Sequence, residues 1–212
     1  MSRGSFDLPD TLSLFVLPGA VLMPRTRLPL TIFEPRYLQM VEDMLKTSHR
    51  LIGVIQSLDE GGERLAQVGS AGRIVGFSEQ DDGRYLISLR QVSRFTLIKA
   101  EQGFHPYATG HVGWSGFEID GRDAEDDPDW DQAGFLALMR RYMDMHSLST
   151  DWDAANKAEA ELLVNSLTMA LPLEVQDKQA LLEALTLTDR RVLLEGLLEY
   201  ELRHGSDDEI IQ

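Results

Sequence analysis

Between Leu12 and about Trp114 apolar residues fall in short runs, TLSLFVLP, LPLTIF, RLIGVIQ, GRIVGFSE, RYLISLR and SRFTLIKA, separated by turn formers. Runs this short, rich in Val, Ile, Phe and Leu, predict β-strands. The Asp82-Gly83 pair between GRIVGFSE and RYLISLR marks a hairpin, because glycine takes the positive φ of a tight turn. Glycines at 69, 72 and 76 interrupt the pattern where a sheet bends hard or closes on itself. Beyond residue 131 the apolar period changes from two to between three and four. Phe135, Leu138, Met139 and Tyr142 mark one helical face, Ala155, Ala158, Leu162 and Leu167 a second, and Leu194, Leu197, Leu198 and Leu202 a third. Pro172 is expected to end the second helix, and Glu174 with Lys178 to pair on the next.

The fold class predicted is α+β. A partly closed N-terminal β-barrel subdomain with one inserted helix occupies residues 1–120, and a C-terminal helical bundle residues 132–205. Residues 121–131 are charged, hold a proline and have almost no apolar side chains, and are expected to be an acidic linker unable to order itself. Residues 206–212 are expected to fray.

The inserted helix begins at FEPRY. Pro35 biases Glu34 toward extended backbone and itself suits the first position of a helix, so strand must give way to helix there. Tyr37, Met40, Val41, Met44 and Leu45 then recur at helical spacing. A structural corner therefore accounts for the motif, and no second group sits nearby to complete an acid–base pair with Glu34.

Charge divides the chain of 212 residues. Residues 1–117 carry 12 Lys+Arg against 12 Asp+Glu; residues 118–212 carry 8 against 23, the whole net charge of −15. Phosphate backbones would be repelled by the acidic half, and the neutral half lacks a basic stripe interleaved with aromatics, so nucleic acid is not the expected partner. No stretch approaches the roughly 20 apolar residues that cross a bilayer, and MSRGSFDLPD does not read as a signal peptide, which predicts a cytoplasmic protein with no membrane partner. The absence of cysteine removes thiol nucleophiles and thiolate metal sites. His105 and His111 flank a strand-like segment outside any H-E-x-x-H pattern, and no serine sits in G-x-S-x-G. No metal or cofactor is expected.

Taken in order, LFVLPGAVLMP, LPLTIFEPRY and RLIGVIQ resemble the N-terminal substrate-binding domain of the ATP-dependent Lon proteases, above all the small bacterial proteins consisting of that domain alone. VGSAGRIVGF, DGRYLISLRQVSRFTLI and LPLEVQDKQALLEALTLTDRRVLLEGLLEYEL continue the likeness to about residue 203. The resemblance implies a PUA-like barrel followed by helices, a region that binds unfolded polypeptide and performs no chemistry. Gln91 departs from the pattern, standing where family members often carry glycine. Nothing reads G-x-x-x-x-G-K-[ST], and no Ser–Lys protease module is expected to follow the bundle.

The function expected is that of a non-enzymatic module for unfolded or apolar polypeptide segments, an adaptor or regulator in protein quality control that works with a separate ATP-dependent protease. Methionine adapts to varied partners, so Met23, Met40 and Met44, with Phe33 and Tyr37, are candidate contacts. Leu22, Pro24 and Leu28 complete an expected exposed rim, and Arg25, Arg27 and Arg36 are placed to meet acidic client segments. The alternative is a hydrolase with an unrecognised site in the barrel mouth, using His105, His111 or Glu34.

Overall fold

A computed structural model describes residues 8–205 apart from 60 and 63, so the expected frayed tail lies outside the described residues. The chain divides into two compact units, one ending at Arg122 and the other starting at Asp123.

In the first unit six strands form one sheet: β1 (Thr11–Val16), β2 (Arg27–Ile32), β3 (Leu51–Ile55), β4 (Val68–Glu79), β5 (Tyr85–Gln102) and β6 (Ala108–Gly113). Their order is β2-β5-β4-β3-β1-β6, and a further pairing of β5 with β6 closes the last five into a ring. β2 remains outside the ring as an edge strand. RYLISLR and SRFTLIKA, read as two strands, are one 18-residue strand. β5 reaches around the ring because irregularities in register, opposite Ala71/Gly72 and Ile74/Gly76 and again between Leu97 and Lys99, let it bend.

Alternation then sorts side chains to two cores. Leu12, Leu14, Leu51, Ile55, Ala71, Phe95 and Val112 fill the ring. Phe15, Ile52, Val54, Ile87 and Leu89 face outward, where helix α1 (Pro35–Leu45) covers them with Tyr37, Met40 and Val41. Each large apolar side chain so buried contributes about 1.5–3 kcal/mol. The ring is tight enough to demand glycine at 69, where a Cβ would stand 2.4 Å from Phe95 Cζ and 2.8 Å from the Val54 carbonyl oxygen.

At FEPRY the backbone of Glu34 is extended (φ −72°, ψ 131°) and Pro35 opens α1. The Glu34 carboxylate does not cap the helix; it accepts from Arg36 Nε at 2.9 Å. A 3-10 turn, Glu118–Gly121, closes this unit by placing Asp120 against β5.

The second unit holds α2 (Gln132–Met145), α3 (Trp152–Lys157), α4 (Ala160–Ala170), α5 (Val175–Glu183) and α6 (Leu187–Gly205). Phe135, Met139, Tyr142, Leu163, Val164, Leu181, Leu194 and Leu198 form its core. The single helix expected across residues 155–167 is two. Ala158 and Glu159 are extended, which breaks the helical phase, so Leu163 and Val164 turn inward while Leu162 is exposed. α4 stops at Ala170 because Leu171, next to Pro172, is extended (ψ 147°). Lys178 is buried, and its Nζ donates to the Met169 carbonyl at the end of α4. The fully buried Arg190 likewise donates to the Leu181 and Ala184 carbonyls at the end of α5, and to Asn165 Oδ1 at 2.8 Å.

The acidic stretch expected to be a disordered linker is corrected by its own contacts. Asp127 is buried and accepts from Arg191 Nε at 2.6 Å. Glu125 takes the Leu187 N–H on its carboxylate, while its own N–H donates to Glu161. Composition suggested solvation, but paired carboxylates order this segment against the helices.

Candidate functional site

β4 and β5 pair up to Val68 and Thr96, and a last backbone bond runs from Leu97 N–H to the Gln67 carbonyl at 2.8 Å. Past that bond the two chains part. Residues 64–67 follow β3, with Ala66 N–H on the Gln56 carbonyl and Leu58 N–H on the Arg64 carbonyl. Residues 97–102 continue with β6 as their strand partner. Between them opens a cleft of about 950 Å³ at the barrel mouth.

Its apolar lining comes from Leu14 and Val16 of β1, Leu65 and Ala66 of the β3–β4 connection, Leu97 of β5 and Ala108 of β6, of which Leu14 and Ala66 are buried and the other four half-buried. Arg36 and Tyr37 from α1, Asp59, Arg64, Gln67, Lys99 and Glu101 line it with polar groups. Ile98 lies on its wall and is 70% exposed, a large apolar side chain left to solvent in a strand. The charges at the rim pair locally, Arg36 with Glu34 and Lys99 with Glu101.

Tyr107 joins the cleft to the back of α1. Its hydroxyl donates to Asp43 Oδ2 at 2.9 Å, and His105 stacks on its ring at 5.0 Å. Burial first, and then the Asp43 bond, push the phenol up to about 12. For Asp43, burial works upward, but hydrogen bonds from Tyr107 and Gln39 and the Lys46 charge outweigh it and hold the carboxyl below its ordinary value. A phenol held neutral this way is a hydrogen-bond donor and does not serve as a base near neutrality.

Of the residues singled out in the sequence, two reach this cleft, Arg36 and Tyr37. Tyr37 is largely buried, with its hydroxyl on the Val16 carbonyl, and Arg36 lies over its ring at 4.5 Å. The exposed rim expected around residues 22–28 is corrected by burial. Leu22 and Met23 are 0% exposed and Pro24 is buried, so these three form no exposed rim. Met40 is fully buried under the outward face, Met44 accepts from Ser13 Oγ, and Leu28 packs against the same core. Arg25 has left-handed backbone (φ 58°), and its guanidinium donates to the carbonyls of Ile119 and Arg122, which makes it a strut within this unit. Arg27 and Phe33 are exposed at the two ends of β2, outside the cleft lining. Gln91, the departure from the resemblance, is buried and bonds Arg25 N–H and Asp120.

For the hydrolase alternative, His105 Nδ1 stands 3.8 Å from Asp43, His111 Nε2 3.9 Å from Glu101, and the Glu34 carboxylate accepts from Arg36, so each of the three named groups has a different charged neighbour. Among the described residues no three His, Asp or Glu side chains are placed to hold a metal ion, and no helix is long and apolar enough to cross a membrane. The lining residues 64–67 and 97–102 were not foreseen. Their signal is the turn-rich stretch after RLIGVIQ and a β5 that outruns β4 by several residues.

Comparison with known proteins adds to the geometry. The family model of the ATP-dependent protease La (LON) substrate-binding domain matches residues 11–199. Lon protease 2 of Sorangium cellulosum (strain So ce56) is 30% identical over 111 residues, which cover 49% of this chain and 14% of that protein. The chain thus spans about one seventh of the length of that curated relative. A Lon N-terminal domain protein from Xanthomonas campestris, known from a crystal structure, superposes with a TM-score of 0.61 at 28% identity, over 90% of this chain and 98% of that one. The N-terminal domain of Mycobacterium avium complex Lon protease matches in fold with a TM-score of 0.65 at 14% identity, over 89% and 98% of the two chains.

Proposed function

The chain belongs to the LON substrate-binding domain family, and on that premise we propose that it is a non-enzymatic polypeptide-binding module whose cleft at the barrel mouth receives unfolded or apolar protein segments. One observation carries the placement: a cleft lined by the half-buried Val16, Leu65 and Leu97 beside the exposed Ile98, in a unit whose other large apolar side chains mostly lie in two closed cores. Exposed apolar surface inside a concave site marks binding more often than stability. The module works in the cytoplasm, as an adaptor or regulator that brings clients to a separate ATP-dependent protease. Its clients are chains whose apolar residues are accessible because they are not folded.

Fluorescence anisotropy of a labelled, reduced and carboxymethylated protein, titrated with this chain, tests the reading. Saturable binding is expected without nucleotide. Ile98→Glu should weaken it by about tenfold or more, about 1.4 kcal/mol. Leu162→Gln, an exposed change on α4 at a residue that does not line the cleft, should leave it unchanged. Failure of several unfolded chains to bind, or equal binding by the Ile98 variant, removes the proposal.

A further inference from the structure

We propose that the cleft holds its client as an added β-strand, seated between residues 64–67 and 97–102 and bonded through the backbone. This rests on the peptide-binding reading and specifies its mode and the class of client.

Both long walls of the cleft are strand edges that have just lost each other as partners, at the bond from Leu97 N–H to the Gln67 carbonyl. Residues 64–67 bond toward β3 and residues 97–102 toward β6, so each chain turns its remaining edge to the cleft. Such an edge presents a row of N–H and C=O groups, and another backbone is the ligand that matches it. The open edge at β2 differs, because Pro29 removes an N–H from it. No proline interrupts LIKAEQ, residues 97–102.

The rest of the cleft then selects the occupant. Successive side chains of a strand point to opposite sides, so every second client residue would face the half-buried Val16, Leu65 and Leu97, and the others would face water. The pairs Arg36–Glu34 and Lys99–Glu101 cancel locally, which offers no field to draw a polyanion and suits an uncharged segment. Residues 97–102 span about 20 Å at roughly 3.3 Å each, so a segment of about six residues is engaged. The client class is an extended segment with apolar and small polar residues in alternation, the pattern of a strand that has not found its sheet.

The test uses the full chain and a labelled, capped peptide of alternating valine and threonine with a lysine at each end. A series of the same peptide carries one backbone N-methyl group at each position in turn. Strand addition between two edges predicts losses of tenfold or more at each central position, since successive N–H groups meet one wall and then the other, and little change at the terminal positions, with slowed amide exchange at residues 98–102 on binding. If the peptide binds and Ile98→Glu weakens it, but N-methylation of the central positions costs nothing, strand addition is wrong and the peptide-binding function stands. Should neither this peptide nor unfolded chains bind, both fall. Slow exchange at residues 98–102 without peptide, rising with protein concentration, would mean that a second copy occupies the edge and would overturn the proposal.

Discussion

The guanidinium of Arg94 and the carboxylate of Asp120 form a buried ion pair, Nη2 to Oδ1 2.8 Å, with the two side chains 0% and 1% exposed. Asp120 also accepts the Arg94 backbone N–H at 2.7 Å and the Gln91 amide at 3.2 Å, and the Phe117 ring lies 4.9 Å from the guanidinium carbon. The carboxylate thereby fastens the 3-10 turn to the middle of β5, the strand that farther on forms one wall of the cleft.

Asp120→Ala leaves a cation buried without this partner. The expected cost is about 3–5 kcal/mol. Urea denaturation followed by circular dichroism should show a lower midpoint, and Asp120→Asn should lose less because it keeps an acceptor for the Arg94 N–H. An unchanged midpoint for the alanine variant would contradict the assignment.

Gly69→Ala places a methyl group 2.4 Å from the Phe95 ring and 2.8 Å from a backbone oxygen. Overpacking of this kind typically costs about 1–3 kcal/mol. Adding Phe95→Leu relieves the ring but not the Val54 carbonyl, so partial recovery of the thermal midpoint is expected. Full recovery would show that the ring alone sets the limit.

The Tyr107–Asp43 bond gives stability a pH window. Asp43 has a depressed pKa, so its contribution is present above the ordinary carboxyl value of 3.8 and is lost as pH falls through the lower folded value. Tyr107 has a raised pKa, so its contribution is present below the ordinary phenol value of 10.0 and is lost as pH rises through about 12. Tyr107→Phe should therefore destabilise by about 1 kcal/mol between pH 5 and 9 and by much less in strong acid, on the order of a typical hydrogen bond. Chemical denaturation of both proteins across pH tests this; a difference independent of pH down to strong acid would contradict it.

Asp127→Ala removes the Arg191 bond that holds the acidic stretch, whose two side chains are 3% and 13% exposed. Arg191 keeps Glu195 at 3.0 Å, so the loss is expected at about 1.5–3 kcal/mol, the range for a charged hydrogen bond. Limited proteolysis should cut faster within residues 123–131. Equal rates would mean that this pair does not order the segment.

Much of the architecture could be read from local pattern. Period-two runs and the Asp82-Gly83 turn marked the strands, Pro35 marked the start of α1, and LPLTIFEPRY with the later motifs carried the family likeness. The phase of α4 was misread because the break at Ala158 and Glu159 carries neither glycine nor proline. Met23 and Leu22 looked like surface on composition, yet they lie beneath the sheet, and Leu22 Cδ2 sits where a Cβ on Gly72 would collide at 2.7 Å.

The sequence by itself determined which segments become strand or helix and which family the chain joins, because backbone preference, side-chain alternation and turn chemistry act among near neighbours in the chain. The tertiary structure alone decided which apolar residues stay in water, that Arg94 finds Asp120, and that β4 and β5 separate to leave a cleft. Those outcomes depend on residues far apart in sequence competing for the same buried volume and the same hydrogen-bonding partners, and ring closure settles that competition.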